Sequence, residues 1–381
     1  MQYCPAYYQR SGAPLGRRNR IQRASKLKRN HINARRILWP ILALSIVCAR
    51  PSLAETDSEF LLFPFVEASY LSGLPADSLL DDDDYDFGLD LFAAIENRGF
   101  ILLVEALLTR NEQEIERLQL GWRFGESKAW LGRFHNPIGY WNTQFHHGAY
   151  LQTSITRPAV VDYEDDNGVL PMHLAGLLIE GVKEHDNRGL GYAIAIATGP
   201  ELADELEPLD MLSPASGSQG LALAINVYRQ PVVYGPNQYG LFANYNEIPA
   251  RERGLEEIRQ TIAGGYWNWE SDFWRLIGSA FYVRNRLSQA NDEQVDDFVA
   301  GYFQAERSLN DDWTIFGRVE KTFASDNDAY LALFPDNARE KILGGLRLNL
   351  FNRHAVTLEI SSNHEQDGRY RQFMLQWATM F

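Results

Sequence analysis

Apolar and polar side chains alternate along most of the chain after about residue 57. In segment 85–96, for example, Tyr85, Phe87 and Leu89 stand at every second position, separated by acidic residues or glycine. A period of two places one set of side chains on each face of a β-strand. Sixteen segments of this kind predict an all-β fold: 58–72, 85–96, 99–109, 114–125, 128–135, 172–184, 188–199, 219–230, 237–247, 256–269, 272–286, 294–307, 312–324, 339–350, 354–364 and 369–381.

The connections between the predicted strands are alternately short and long. Transmembrane barrels have tight periplasmic turns, longer outer loops and an even number of strands that each cross the bilayer. The pattern therefore predicts a transmembrane antiparallel up-and-down β-barrel of about sixteen strands, with both ends in the periplasm. Alternation is weaker in 256–269 and 272–286, so fourteen or eighteen strands remain alternatives. The longer connections are 73–84, 136–171, 200–218, 248–255, 287–293 and 325–338.

The first 54 residues differ in composition from the rest. They hold eleven Lys and Arg residues and no acid, and an apolar run at 37–49 precedes the small-residue site Ser52-Leu53-Ala54. This order is typical of a secretory signal peptide. The apolar run is too short to span a bilayer as a helix, which argues against a membrane anchor. We expect cleavage after Ala54, leaving 55–381 as the barrel.

Removal of the signal changes the charge and the cysteine content. The whole chain has 36 basic and 50 acidic side chains, and without the eleven basic residues of 1–54 the net charge falls from −14 to −25. Both cysteines, Cys4 and Cys48, are removed as well, so the mature chain has no thiol chemistry. Such acidity argues against a nucleic-acid partner, because no basic stripe remains to neutralise phosphates. If the barrel encloses a pore, this charge favours cations in it.

The last predicted strand ends the chain on an aromatic residue. Phe373, Leu375 and Trp377 alternate with other residues up to the terminal Phe381. This pattern resembles the C-terminal signature of bacterial outer-membrane barrels, which the barrel-assembly machinery recognises. The resemblance implies a location in the bacterial outer membrane, in contact with its lipid and lipopolysaccharide.

The longest connection, 136–171, would be the third outer loop. Loops of more than about 15 residues in a compact fold are usually functional. In length, position and sixteen-strand context this one resembles the constriction loop of general bacterial porins, which folds into the pore. The resemblance implies a passive diffusion channel for small hydrophilic solutes or ions, without cofactor or catalysis, and suggests a homotrimer. The candidate constriction residues are Tyr140, Trp141, His146, His147, Asp162, Glu164, Asp165 and Asp166.

A sixteen-stranded barrel is wide enough to enclose water, so inward positions should be polar. By the porin resemblance, the loop carboxylates would face Arg117, Arg123 and Arg133 and create a transverse field. For any single charge, a solvated wall residue is the alternative. Trp122, Trp130, Trp313 and Trp377 are expected on the outer face, in aromatic girdles. The predicted pore-lining residues are Asp86, Asp90, Glu105, Arg117, Arg123, Arg133, Glu180, Arg318, Glu320, Arg347 and Glu359.

Two other functions compete with a channel. An outer-membrane enzyme of the lipase or protease type needs a nucleophile near a base, and Ser154 with His146 and His147 is the candidate, although no known catalytic motif surrounds it. A structural or adhesive barrel is the second alternative. The loop histidines and the acidic run 81–84 lack the spacing of a metal site, so no metal ligand is predicted.

Overall fold

The structure, a computed structural model, describes residues 56–73, 83–110, 113–145, 148–164, 168–211, 219–250, 254–289, 292–325, 327–351, 353–366 and 368–381. The expected signal peptide, 1–54, lies outside the described residues, and its cleavage stays a prediction. The barrel begins at Thr56, the first residue of the first strand.

Sixteen strands form one closed antiparallel sheet in which each strand pairs with its neighbours in the sequence. The first strand also pairs with the last, which closes the barrel. Two short strands, Glu201–Leu202 and Leu206–Glu207, form a separate hairpin between the seventh and eighth strands of the barrel. The strands are β1 Thr56–Ser72, β2 Asp83–Asn97, β3 Phe100–Thr109, β4 Gln113–Phe124, β5 Ser127–His135, β6 His173–His185, β7 Arg188–Thr198, β8 Glu201–Leu202, β9 Leu206–Glu207, β10 Leu221–Gln230, β11 Gln238–Pro249, β12 Glu257–Glu270, β13 Trp274–Gln289, β14 Asp292–Ser308, β15 Trp313–Phe323, β16 Glu340–Leu350, β17 His354–Glu365 and β18 Gly368–Thr379.

The prediction of a sixteen-stranded all-β barrel is confirmed. Each predicted segment coincides with one barrel strand, and the largest difference is at the end of β13, expected at residue 286 and observed at Gln289. The β8–β9 hairpin, the helix α1 at Tyr140–Gln144 and single 3-10 turns at Ala159–Val161 and Leu331–Leu333 lie within predicted loops. None of these four elements was predicted.

The outer face of the barrel is apolar. Large side chains such as Leu120 and Leu241 are well exposed, as expected of surfaces that meet lipid. Trp122, Trp313 and Trp377 lie on this face, whereas the prediction for Trp130 was wrong, because its side chain is buried on the inner side. No helix in the described part of the chain is long and apolar enough to cross a membrane.

The chain terminus completes the seam between the first and last strands. The backbone of Phe381 accepts a hydrogen bond from the N–H of Leu62 (3.0 Å) and donates one back to its carbonyl (2.9 Å). The side chains of Phe373, Leu375 and Trp377 are exposed on the outer face. The terminal aromatic residues therefore contribute to the lipid-facing surface and to closure of the sheet.

Inside the barrel, the two halves of the wall differ. We call the inward-facing side chains of β11–β17 the covered wall, because outer loops pack on them. We call those of β2–β7 and β10 the open wall, because a cavity lies beside them. Inward residues of β12 and β13, such as Ile262 and Phe281, are apolar and buried under the third outer loop. This explains the weak alternation there, since apolar side chains occupy both faces of these strands.

Candidate functional site

The third outer loop enters the barrel through a sharp turn after β5. Gly139 precedes α1 with a φ of 69°, and a Cβ at this position would lie 3.0 Å from the Phe281 ring. Only glycine combines the left-handed backbone with this close approach. Asn142 holds the two ends of the loop together by donating to the carbonyls of Asn136 (2.8 Å) and Met172 (3.2 Å).

Aromatic side chains of α1 fasten this part of the loop to the covered wall. The Trp141 ring lies 5.9 Å from the Tyr302 ring, edge-on, and the Tyr140 ring lies 6.0 Å from Tyr266. Phe145 packs against both loop rings. Burial raises the pKa of Tyr140 to about 12, so its hydroxyl stays neutral. The helix is thus held by an apolar core inside the barrel.

A second part of the loop is held by polar groups, and Arg318 on β15 is the central one. Its guanidinium donates to the carbonyl oxygens of Thr156 (3.0 Å) and Arg157 (2.7 Å) and to the Ser154 hydroxyl (3.0 Å). It also donates to the Gln304 side chain (3.0 Å). The Arg318 side chain has no exposed surface. A charge predicted to line water is therefore engaged in hydrogen bonds to the loop.

Two carboxylates act beside it in the same way. Glu359 on β17 accepts hydrogen bonds from the Thr156 hydroxyl (2.5 Å) and the Ile155 N–H (2.8 Å). Glu320 on β15 accepts from the Ala159 N–H (2.6 Å) and pairs with the guanidinium of Arg318. Charged acceptors and donors form the stronger class of hydrogen bonds. These contacts fix residues 154–159 against the covered wall.

The neighbouring residues of the loop are held by β14 and β16. Arg347 donates to the carbonyl oxygens of Tyr150 (2.5 Å) and Gln152. Glu306 accepts a hydrogen bond from the Thr153 hydroxyl (2.6 Å). Four of the predicted pore-lining residues, namely Arg318, Glu320, Arg347 and Glu359, thus contact the third loop directly.

The predicted loop carboxylates that are described have partners other than the wall arginines. Glu164 accepts from the backbone N–H of His173 (2.7 Å) and contacts its ring, whose other nitrogen lies 2.8 Å from Glu116. Partial burial raises the pKa of Asp162 to about 6, although Arg157 is close enough to favour its charged form. His146, His147, Asp165 and Asp166 lie outside the described residues.

The three wall arginines pair with acids of their own wall, on the adjacent strand or, for Arg123, on the next strand but one. Arg117 binds Glu105, Arg123 binds Glu96 at 2.5 Å, and Arg133 binds Glu114. Of the described loop carboxylates, Glu164 is close enough to Arg133 for electrostatic attraction, without an ion-pair contact. The transverse field between loop carboxylates and wall arginines stays a hypothesis.

A β-bulge in β4 explains how several acids gather there. Two steps along β3, from Glu105 to Leu107, match three steps along β4, from Arg117 to Glu114. A bulge adds one residue and changes which side chains face inward. Glu114 and Glu116 consequently both approach Arg133. Strict alternation assigns every second residue of this strand to the inner face, and it therefore did not identify Glu116 as an inward residue.

The predicted pore-lining residues Asp86 and Asp90 are buried inward residues of β2.

The open wall borders a cavity of about 380 Å³. Asn142, Thr143 and Gln144 of α1 line one side of it. Side chains of β1–β7, β10 and β12 line the rest, and residues at its rim such as Glu96, Arg123 and Lys128 lie at strand ends next to short turns. The loop thus packs mainly on the covered wall, and the described cavity lies between α1 and the open wall.

Trp130 and Lys128 are cavity residues that sequence analysis missed. The Trp130 indole N–H donates to Glu180 (2.9 Å), and the Lys128 ammonium lies 5.6 Å from the Trp130 ring centroid. Lys128 and Trp130 are two residues apart on β5 and share a face, whereas Leu131 is exposed to the outside. The charge of Lys128 was therefore the signal that placed Trp130 inward. Within the described residues, no group of three or more His, Cys, Asp or Glu side chains suits a metal ion.

Solved structures of several outer-membrane proteins share this architecture. The anion-selective porin from Comamonas acidovorans is 13% identical, with a TM-score of 0.56 over 86% of this chain and 100% of that chain. The outer-membrane channel DcaP of Acinetobacter baumannii is 11% identical, with a TM-score of 0.55 over 87% and 99%. The chain has a porin fold. A trimer form of OmpT from Vibrio cholerae shares the fold at 11% identity and a TM-score of 0.52, over 86% of this chain and 100% of that chain.

No protein-family model matches the chain, and no curated protein matches its sequence. Sequence identities this low show that the porin fold is shared, and they carry no information about solute or selectivity. The closed sheet satisfies every strand edge, and its apolar exterior suits lipid, as a transmembrane barrel requires. This porin-like barrel accordingly lies in a bacterial outer membrane.

Proposed function

We propose that this porin-like barrel is a passive diffusion channel for small hydrophilic solutes or ions. The observation that supports the proposal most is the cavity beside α1, which charged and polar side chains border inside a closed barrel. Diffusion through such a space requires no cofactor and no catalytic group. Its selectivity follows from the width of the space and the charges around it.

Cation preference is the finer part of the proposal. The cavity is bordered by four acidic side chains and three basic ones, of which Arg117 and Arg123 are already ion-paired with Glu105 and Glu96. Charge lining a narrow low-dielectric passage affects permeating ions more than charge on outer loops. The excess of carboxylates at the rim supports preference for cations.

The enzyme alternative gains no support at Ser154. Its hydroxyl donates to the Thr156 carbonyl (3.1 Å) and accepts a hydrogen bond from the Arg318 guanidinium (3.0 Å). A serine nucleophile needs a base that accepts its proton, and a guanidinium can only donate. We therefore keep the non-enzymatic channel as the proposed function, with the structural or adhesive barrel as its competitor.

A homotrimer belongs to the same proposal. It is supported by the shared fold, since one of the similar structures is a trimer form of OmpT of Vibrio cholerae. Mass measurement of the detergent-solubilised protein would test it. The outer-membrane lipid, lipopolysaccharide and the barrel-assembly machinery are likewise partners that we propose from the C-terminal strand and the lipid-facing surface.

Planar-bilayer recording tests the channel. Purified protein should give discrete conductance steps in KCl, and a KCl gradient should give a reversal potential of the sign expected for K⁺ preference. Folded protein that inserts without any conductance would contradict a channel. Conductance with preference for Cl⁻ would contradict only the cation preference.

A further inference from the structure

One side of the cavity beside α1 is apolar. Ile101 and Leu103 on β3 and Leu178 on β6 border it, belong to a single apolar cluster, and each keep 6–7% of their surface exposed. The wall of a water-filled barrel is ordinarily polar, and apolar surface facing water carries a free-energy cost. A solute with an apolar portion would remove that cost while it occupied the cavity.

The rim of the cavity can receive a positively charged group. Thr143 and Gln144 of α1 offer neutral polar atoms, and Glu180 and Glu59 supply carboxylates. Lys128 lies over the Trp130 ring, so the apolar surface left for a solute is that of Ile101, Leu103 and Leu178. Apolar and acidic surfaces thus meet within one space.

The size of the space limits the solute. A cavity of about 380 Å³ is at the small end of the range of about 300–1,000 Å³ that is typical of small-molecule sites. One aromatic ring with a short charged substituent suits this volume. Sites of this kind are mostly apolar, with a few polar groups that orient the ligand.

We propose that the cavity is a binding subsite for small organic cations that carry one aromatic ring. The ring packs against Ile101, Leu103 and Leu178, and the ammonium group lies toward Glu180. The inference rests on the proposed channel and specifies a class of solute for it. Its test is therefore a binding effect on the channel current.

Benzylammonium and methylammonium carry the same charge and differ in the ring. Added to the periplasmic side of a bilayer in KCl, benzylammonium should block the K⁺ current at concentrations at least about tenfold lower than methylammonium, because burial of the ring adds apolar contact. Benzoate, with the same ring and the opposite charge, should not block at those concentrations.

Adjacent residues on one strand provide matched variants. Leu178 faces the cavity with 6% of its surface exposed, and Leu177 faces outward with 43% exposed. Leu178→Thr should abolish the tenfold advantage of benzylammonium, and Leu177→Thr should retain it. Ala193→Phe fills the cavity without adding polarity, and its lipid-facing neighbour provides the control Ile194→Phe. The Ala193 variant tests the inference even if Leu178→Thr does not fold.

The outcomes separate the two proposals. K⁺ conductance with equal block by both amines, stronger block by benzoate, or unchanged block in Ala193→Phe would overturn the aromatic-cation subsite and leave the channel standing. Folded, inserted protein that carries no current would overturn the channel, and the subsite with it.

Discussion

The covered wall and the open wall use the same kinds of side chain in different ways. On the covered wall, Arg318, Glu320 and Glu359 are buried and bind the backbone and hydroxyls of the third loop. On the open wall, Arg123 binds Glu96 on a nearby strand and both stay partly exposed beside the cavity. An inward charge in a porin fold can therefore either anchor a loop or border the pore.

The difference follows from the groups that lie within hydrogen-bond reach of each charged side chain. A loop that enters the barrel brings backbone N–H and carbonyl groups that must be hydrogen-bonded once water is excluded. Charged side chains of the wall can satisfy them with strong hydrogen bonds. Where a wall charge is not engaged by a loop, charges of opposite sign within the wall pair with each other, as Arg117 and Glu105 do across adjacent strands.

The largest expected effect is loss of the central loop anchor. Arg318→Met would leave Glu320 without its guanidinium partner and the Thr156 and Arg157 carbonyls without their donor. Breaking a buried ion pair from one side typically costs about 3–5 kcal/mol. We expect a lower unfolding midpoint in detergent and a noisier, larger single-channel current.

Arg123→Met on the open wall is the matched control. The Arg123 side chain is 44% exposed, and exposed pairs contribute about 0–1 kcal/mol. Its unfolding midpoint and current noise should stay close to those of the unmodified protein. Equal destabilisation by the two variants would contradict the assignment of Arg318 to the loop.

Sequence alone predicted the barrel well and its interior poorly. Strand positions follow from alternation, which lipid on one side and water or loops on the other impose locally on residues such as Leu120 and Gln119. Loop packing depends on contacts between residues far apart in the chain, such as Thr156 with Glu359. No periodicity reports such contacts, so the anchoring roles were not predictable.

Two features of the open wall were also not predicted from the sequence. They are the bulge in β4 and the inward orientation of Trp130. A bulge changes the phase of alternation without changing composition, so Glu116 could not be placed by counting. Tryptophan is common in lipid-facing girdles, and that expectation outweighed the phase set by Lys128. Alternation was the better guide in this case.

A smaller effect on selectivity should distinguish the walls. Glu180→Gln removes a carboxylate that borders the cavity, while the amide can still accept from the Trp130 indole N–H. The K⁺ to Cl⁻ permeability ratio should fall roughly twofold. Glu320→Gln, under the loop, should leave the ratio unchanged in the same reversal-potential measurement. A larger shift from Glu320→Gln would mean that ions pass along the covered wall.

The smallest expected effect concerns pH and the loop itself. The folded-state pKa of Asp162 is raised to about 6 by burial, so the folded protein binds this proton more readily than the unfolded chain. The stability that protonation contributes is present at low pH and lost as the pH rises through about 6. At pH 8, Asp162→Asn should therefore raise the free energy of unfolding by about 1 kcal/mol. The variant should then unfold at a higher urea concentration than the unmodified protein.

Near pH 4 the two proteins should unfold at the same urea concentration, because Asp162 is then largely protonated when folded. Charged groups that face Asp162 are Arg157, Lys341 and Glu320, and none of them is changed by the substitution. A constant difference between the two proteins from pH 4 to pH 8 would contradict a raised pKa at Asp162.

Cysteine accessibility tests the division of the interior most directly, since the chain has no cysteine beyond Cys4 and Cys48. Glu180→Cys places a thiol on the open wall, and Gln304→Cys places one on the covered wall, beside Arg318. A water-soluble cationic thiol reagent applied during bilayer recording should react with Glu180→Cys and reduce its current, and leave the Gln304→Cys current unchanged. Faster reaction at Gln304→Cys than at Glu180→Cys would contradict the division.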